Sequence, residues 1–274
     1  MSKRKRTAFL VVWVLALIAV LAAALAVGTT PKSETVQVAM RDAVLHGENQ
    51  ISLFGIKNVT PSLISGFVVT ALLLIFAALV RIFVIPHFTL VPGRFQLVLE
   101  ELVGFFDRLA TTNSPHRHKF LGAYVFAAGV YIFAGTLFEL LGLQVITTAG
   151  TPVTLPAPLA DINGAIALGC FSYLVILSGG IVGNGVKGIG LTLKEFSLPI
   201  SMSFRLFGAL LSGLLVTELV YYYISLSFVL PVIVGIMFTL MHAVIQTYVL
   251  TMLTALFYGE VSEPKPKKVK NIKE

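Results

Sequence analysis

Charge is what this 274-residue chain has least of: Asp, Glu, Lys and Arg make up 12% of it, roughly half the share of about 25% in an ordinary soluble domain. Hydrophobic residues account for 57%, so a soluble globular domain is excluded and an integral membrane protein is implied. Cysteine occurs once, at Cys170, which rules out an internal disulfide and gives redox chemistry no support. There is no HExxH, CxxC, P-loop or nucleophile elbow, so the common metal, redox, nucleotide and hydrolase motifs are missing. The alternating ten-residue segments of a membrane barrel are absent as well. Helices are then the remaining way to satisfy backbone groups in lipid, and the expected fold class is all-α. No internal repeat is evident, which counts against an inverted-repeat transporter.

What is present is a series of five or six segments long enough to cross a hydrocarbon core of about 30 Å, a task for about 20 apolar helical residues. Residues 7–27 follow a basic start and read as a retained anchor in preference to a cleaved signal peptide, because the run exceeds a signal core of about 7–15 residues. Residues 31–60 are polar and are expected outside the membrane. Residues 61–85 form the next span, closed by Arg81 and Pro86-His87. Between 93 and 112, Arg94, Glu100, Glu101, Asp107 and Arg108 are interleaved with Phe95, Leu97, Leu102, Phe105 and Phe106, the spacing of an amphipathic helix on the interface. Residues 120–143 cross outward, 144–159 form an external loop, and 160–182 cross inward to a glycine-rich turn from Gly183 to Gly190. The last two segments, 196–224 and 228–258, form a helical hairpin. At about 1.5 Å per residue each exceeds about 40 Å, so both should be strongly tilted. The chain divides into an N-terminal anchor or signal segment (1–30), an external segment (31–60), a membrane domain (61–260) and a basic tail (261–274).

The net charge of +7 is concentrated at the ends, in Lys3, Arg4, Lys5 and Arg6 and in Lys265, Lys267, Lys268, Lys270 and Lys273. This is the positive-inside pattern; it places both tails in the cytoplasm and makes the bilayer, with no nucleic acid, the expected partner. Six crossings agree with it.

Arg205 lies well inside the apolar stretch 196–230. A guanidinium at the bilayer centre costs from about 3 to over 10 kcal/mol, so an arginine rarely persists there without a task. Ala209, Ser212 and Gly213 follow it at i+4, i+7 and i+8, a narrow stripe of small side chains that lets another helix come close. The bland alternative is a packing seam with a snorkelling arginine. On the partner helix Thr239, His242 and Gln246 fall at i, i+3 and i+7 and share a face that could line an aqueous groove. Glu218 stands about 140° round from Arg205 and about 20 Å further along the axis, at another depth. Glu139, Asp161 and Asn163 lie near the outer ends of their spans and suggest an outward-facing polar vestibule, although ordinary helix-end solvation explains each singly. Two polar systems at different depths are what two aqueous half-paths require.

At these residues the chain resembles subunit a of the rotary F-type ATP synthases. The resemblance covers residues 93–260 and is carried by Ala160-Asp161-Ile162-Asn163, Lys187-Gly188-Ile189-Gly190, Pro199-Ile200-Ser201-Met202-Ser203-Phe204-Arg205-Leu206-Phe207-Gly208 and Gln246-Thr247-Tyr248-Val249-Leu250-Thr251-Met252-Leu253-Thr254. It implies a non-catalytic stator in a bacterial cytoplasmic membrane, without a cofactor or metal, that faces a ring of c subunits and joins peripheral-stalk b subunits. Arg205 matches the family's essential arginine, whose implied role is to attract the ionised ring carboxylate, displace its H⁺ or Na⁺, and block leakage between half-channels. Gln246 matches the family glutamine level with that arginine. Ala209 and Gly213 would face the ring. Glu139, Asp161, Asn163, Thr239 and Ser212 are half-channel candidates. The family's usual Asn four positions after the arginine is Ala209 here, and its usual ionisable pair is Leu214 and Thr239. Glu218 and His242, about one turn away, are the candidate replacements. Two other readings stay open: an autonomous secondary transporter, and an intramembrane enzyme built on His242 and Glu218.

Overall fold

The computed structural model describes residues 51–53, 56–146, 152–222 and 230–263, together with scattered positions between 9 and 22. Most of the expected first segment (7–27), most of the external segment (31–60) and the basic tail beyond residue 263 therefore fall outside the described residues. A short antiparallel hairpin, β1 (Ile51–Leu53) and β2 (Ile56–Val59), leads into α1 (Pro61–Leu79). Pro61 opens this helix, where its missing N–H costs nothing. Pro86 closes it: the proline cannot donate and its ring crowds the carbonyl four residues earlier, and the chain widens into a π turn at Val80–Val84 and a 3-10 turn at Ile85–His87.

The amphipathic stretch is α2 (Arg94–Asn113), which buries Phe106 and Ala110. Its Arg108–Glu101 ion pair is exposed and adds little stability. α3 (His118–Phe138) continues through a 3-10 turn at Glu139–Leu141. The expected external loop is more ordered than its composition implies, with an antiparallel hairpin of β3 (Gln144–Ile146) and β4 (Pro152–Thr154) and a 3-10 turn at Pro158–Ala160. α4 (Ile162–Asn184) follows, capped by Asp161. The glycine-rich turn expected from Gly183 to Gly190 is confined to Gly185, whose φ of +60° suits a residue without Cβ. From Val186 the chain is helical again as α5 (Val186–Lys194), and α6 (Ser197–Tyr222) and α7 (Leu230–Ser262) complete the fold.

Four helical stretches, Pro61–His87, His118–Leu141, Ile162–Asn184 and Val232–Ser262, are long and apolar enough to cross a membrane; Val186–Lys194 with Ser197–Gly213, bent by 48°, is a fifth if taken as one span. The chain is thus an all-α multi-pass membrane protein. α7, with 33 residues, is about 50 Å long and exceeds the hydrocarbon core, so it must tilt or stand clear of it.

Contacts at the helix ends fix the relative directions. At one end Thr60 Oγ1, from the start of α1, donates to Asp161 Oδ2 at the start of α4, at 2.7 Å. At the other, His116 before α3 reaches Ser262 at the end of α7, and Arg117 donates to the carbonyl of Val182 near the end of α4. α3 and α4 are therefore antiparallel, and α7 runs antiparallel to α3. The core between α2, α3, α4, α6 and α7 is apolar, built on Phe106, Leu121, Ile132, Ile176, Met202 and Leu206. A threonine seam supplements it: Thr247, Thr251 and Thr254 are buried on α7, and Thr251 and Thr254 return their hydroxyls to carbonyls one turn back. Such back-bonding lets a polar side chain sit in a dry seam without a partner on another helix.

Candidate ion-translocation site

Packing decides which way α6 faces. Leu198, Met202, Leu206 and Leu210 are buried at four-residue spacing, so they define the inner side. The helix lies close to α4 where Ser203 meets Gly169; a Cβ at Gly169 would stand 3.0 Å from the Pro199 carbonyl and run into the Ser203 hydroxyl, which itself donates to Pro199 O at 2.6 Å. Ser201, Phe204, Arg205, Gly208 and Ser212 are left exposed on the opposite side.

Arg205 therefore sits two turns into a membrane helix on its open face, and among the described residues it makes no hydrogen bond or ion pair. Gly208 and Ser212 flank it, and a Cβ at Gly208 would meet nothing within 4 Å. The Ser212 hydroxyl is satisfied internally, donating to Ala209 O at 2.8 Å. Ala209 is half-buried beside this face. Gly213, about 80° round from the arginine at about 100° per residue, turns instead toward α7: His242 Nδ1 lies 3.2 Å from where its Cβ would be.

On α7, Thr239, His242 and Gln246 are all buried. The His242 ring packs against Phe238, 5.9 Å between centroids. Gln246 is only 6% exposed, and its Oε1 has no hydrogen-bond partner. A buried amide oxygen left unpaired costs about 1–3 kcal/mol, so this side chain is held in the seam at the expense of stability. Counting one turn along each helix from the Gly213–His242 contact sets Gln246 opposite Ala209, one turn from Arg205. No hydrogen bond joins Gln246 to Arg205.

The remaining candidates separate. Asp161 is engaged at both oxygens: Oδ1 accepts from the Asn163 backbone N–H at 2.8 Å, as an N-cap should, and Oδ2 accepts from Thr60. Asn163 is exposed at the same helix end. Glu139 is half-buried in the turn after α3, which packs on α7, and its carboxylate has no hydrogen bond or ion pair among the described residues. Glu218 belongs to α6, but its side chain lies outside the described residues. Ser201 and Gly208, quoted in the arginine motif but not among the site candidates, share the arginine's face at i−4 and i+3. No group of three His, Cys, Asp or Glu able to hold a metal ion occurs among the described residues.

Taken together, a bundle of apolar helices with an arginine on the open face of one of them, unpaired among the described residues, defines a polytopic membrane protein. Residues 63–259 match the family model described as ATP synthase A chain, and the chain belongs to that family. Among its relatives are proteins named ATP synthase subunit a from two strains of Cereibacter sphaeroides, each 28% identical over 219 residues, which cover 76% of this chain and 81% of the relative. Membership places the chain in an F-type ATP synthase complex, in ATP synthesis and ion transport.

Proposed function

We propose that the chain is the stator that carries H⁺ or Na⁺ to and from the carboxylates of a rotating c ring through two aqueous half-channels, coupling ion flow to rotation and ATP synthesis. The observation that carries this reading is Arg205, exposed on a membrane helix and unpaired within the described chain. A guanidinium stays charged at any relevant pH, and in low dielectric a fixed charge attracts an anion far more strongly than in water. A passing ring carboxylate supplies that anion, loses its bound ion on approach, and regains one after leaving. The same charge opposes direct passage of a cation between the half-channels. Ala209, Gly208 and Ser212 keep the surroundings low enough for a ring helix to approach.

Gln246 is the neighbouring amide, its free Oε1 an acceptor for Arg205 or for a protonated ring carboxyl. His242 and Glu218 are the candidate relay groups on the outer path, with Glu139 beside α7; Asp161 and Asn163 lie at the helix-end mouth, and Thr239 lines the seam. The peripheral-stalk b subunits are the second expected partner. The protein resides in the bacterial cytoplasmic membrane with both tails inside, the membrane domain spanning 61–260. A carrier acting alone would close its ion path within one chain, whereas this charge faces outward. Arg205→Ala is expected to abolish ATP-driven ion pumping by the assembled complex while leaving assembly intact; near-normal pumping would overturn the assignment.

A further inference from the structure

A second polar site lies at the far end of the bundle, where the start of α3 and the ends of α4 and α7 meet. A cavity of about 570 Å³ opens there, lined by His116, Arg117, His118 and Lys119 together with Ser178 and Tyr258. Among the described residues, none that lines it is acidic. Arg117 is hydrogen-bonded to the Tyr258 phenol and donates to the Val182 carbonyl at 3.3 Å, which leaves part of its five-donor fork free. The Lys119 side chain is exposed and has no hydrogen bond or ion pair among the described residues. The first turn of α3 has no side-chain cap, so its N–H groups add to the positive potential of the cavity. His116, by contrast, is fixed by Ser262, and His118 Nδ1 bonds to Pro115 O, which makes the floor rigid.

The rim of the same cavity is apolar. Phe120 and Val182 line it and are more than half exposed, at 56% and 57%. Cationic donors at the ends of membrane helices, with greasy side chains immediately on the membrane side, fit a ligand that is anionic at one end and hydrocarbon at the other. We propose that this cavity binds the headgroup of an anionic phospholipid, its phosphate held by Arg117, Lys119 and the first turn of α3, with an acyl chain running along Phe120 and Val182. Basic pockets between helix ends at a membrane surface recognise lipid phosphates in this way. The ligand would clamp the three helix ends together on the side opposite the Thr60–Asp161 tether.

The test is native mass spectrometry of the full-length chain in non-ionic detergent, titrated with phosphatidylglycerol, phosphatidylcholine or inorganic phosphate. Phosphatidylglycerol should be retained about tenfold more strongly than phosphatidylcholine, and Arg117→Gln with Lys119→Gln should weaken it about 30-fold. If the double variant does not fold, Lys119→Gln alone decides, since that exposed side chain supports no contact; a loss of about fivefold is expected. Equal retention of the two lipids, or retention unchanged by Lys119→Gln, overturns the proposal. Full displacement of phosphatidylglycerol by millimolar inorganic phosphate overturns the lipid assignment in favour of a free-phosphate site.

Discussion

Replacing Asp161 separates a structural acid from a proton-carrying one. Its carboxylate caps α4 through the Asn163 N–H at 2.8 Å and ties α4 to the start of α1 through Thr60 at 2.7 Å. Asp161→Ala removes both bonds: loss of the cap costs about 1 kcal/mol, and the bond to an ionised acceptor costs about 1.5 kcal/mol, the low end for a partly exposed site. The sum of about 2.5 kcal/mol is roughly a 70-fold change in an equilibrium constant. Because helix ends open locally, the sensitive assay is hydrogen exchange at the Asn163 amide in the full chain, where protection should fall by that factor. Asp161→Asn keeps its Oδ1 as acceptor for the Asn163 N–H and turns an NH2 toward Thr60, whose hydroxyl can rotate to accept, so it should preserve most of the protection, and ATP-driven pumping by the assembled complex should remain close to normal. Loss of protection below about threefold in Asp161→Ala would show that the two bonds do not carry the end of α4. Abolished pumping in Asp161→Asn with full protection would make the carboxylate a carrier of protons and not a clasp.

Gln246→Leu removes a buried oxygen without a partner, so the isolated chain should gain about 1 kcal/mol of thermal stability while the assembled complex loses coupled pumping; a loss of both stability and pumping would mean that the amide is structural. Gly213→Ala puts a methyl 3.2 Å from His242 Nδ1, a crowding that the helix gain of about 1 kcal/mol offsets, so it should be close to neutral, whereas Gly213→Leu should cost about 3 kcal/mol. Thermal unfolding of the pair checks this, and equal stabilities would show that α6 and α7 can part freely.

The sequence reading located the helices well because hydrophobic run length is a local property. The hairpin expected at 196–224 and 228–258 is Ser197–Tyr222 and Leu230–Ser262. Arg205 stood out for the same reason: a guanidinium in a long apolar run is costly, and the alternative of a snorkelling arginine needs it nearer the helix end. The facing of residues around α6 was less legible. Ala209 and Gly213 follow the arginine by one and two turns, yet a helix rotates about 100° per residue, so the second drifts toward α7 while Ser212 stays in line. α5 was hidden by its glycines, which read as a turn although Gly188 is buried against Gly180. The job of Asp161 needed Thr60, 101 positions away, and the basic cavity needed residues from three helix ends. Neither leaves a pattern within one segment.

The open face of α6 also bears on how the subunit is made. A newly inserted copy would hold a bare guanidinium against hydrocarbon, a burden of about 3 kcal/mol or more that no group in the described chain relieves. Until a partner brings an anion to it, the bilayer must thin or admit water around that side chain. On the proposed function, the unmet charge that would act on the ring also makes an unaccompanied copy a poor resident of the membrane, and a ring already in place would relieve it.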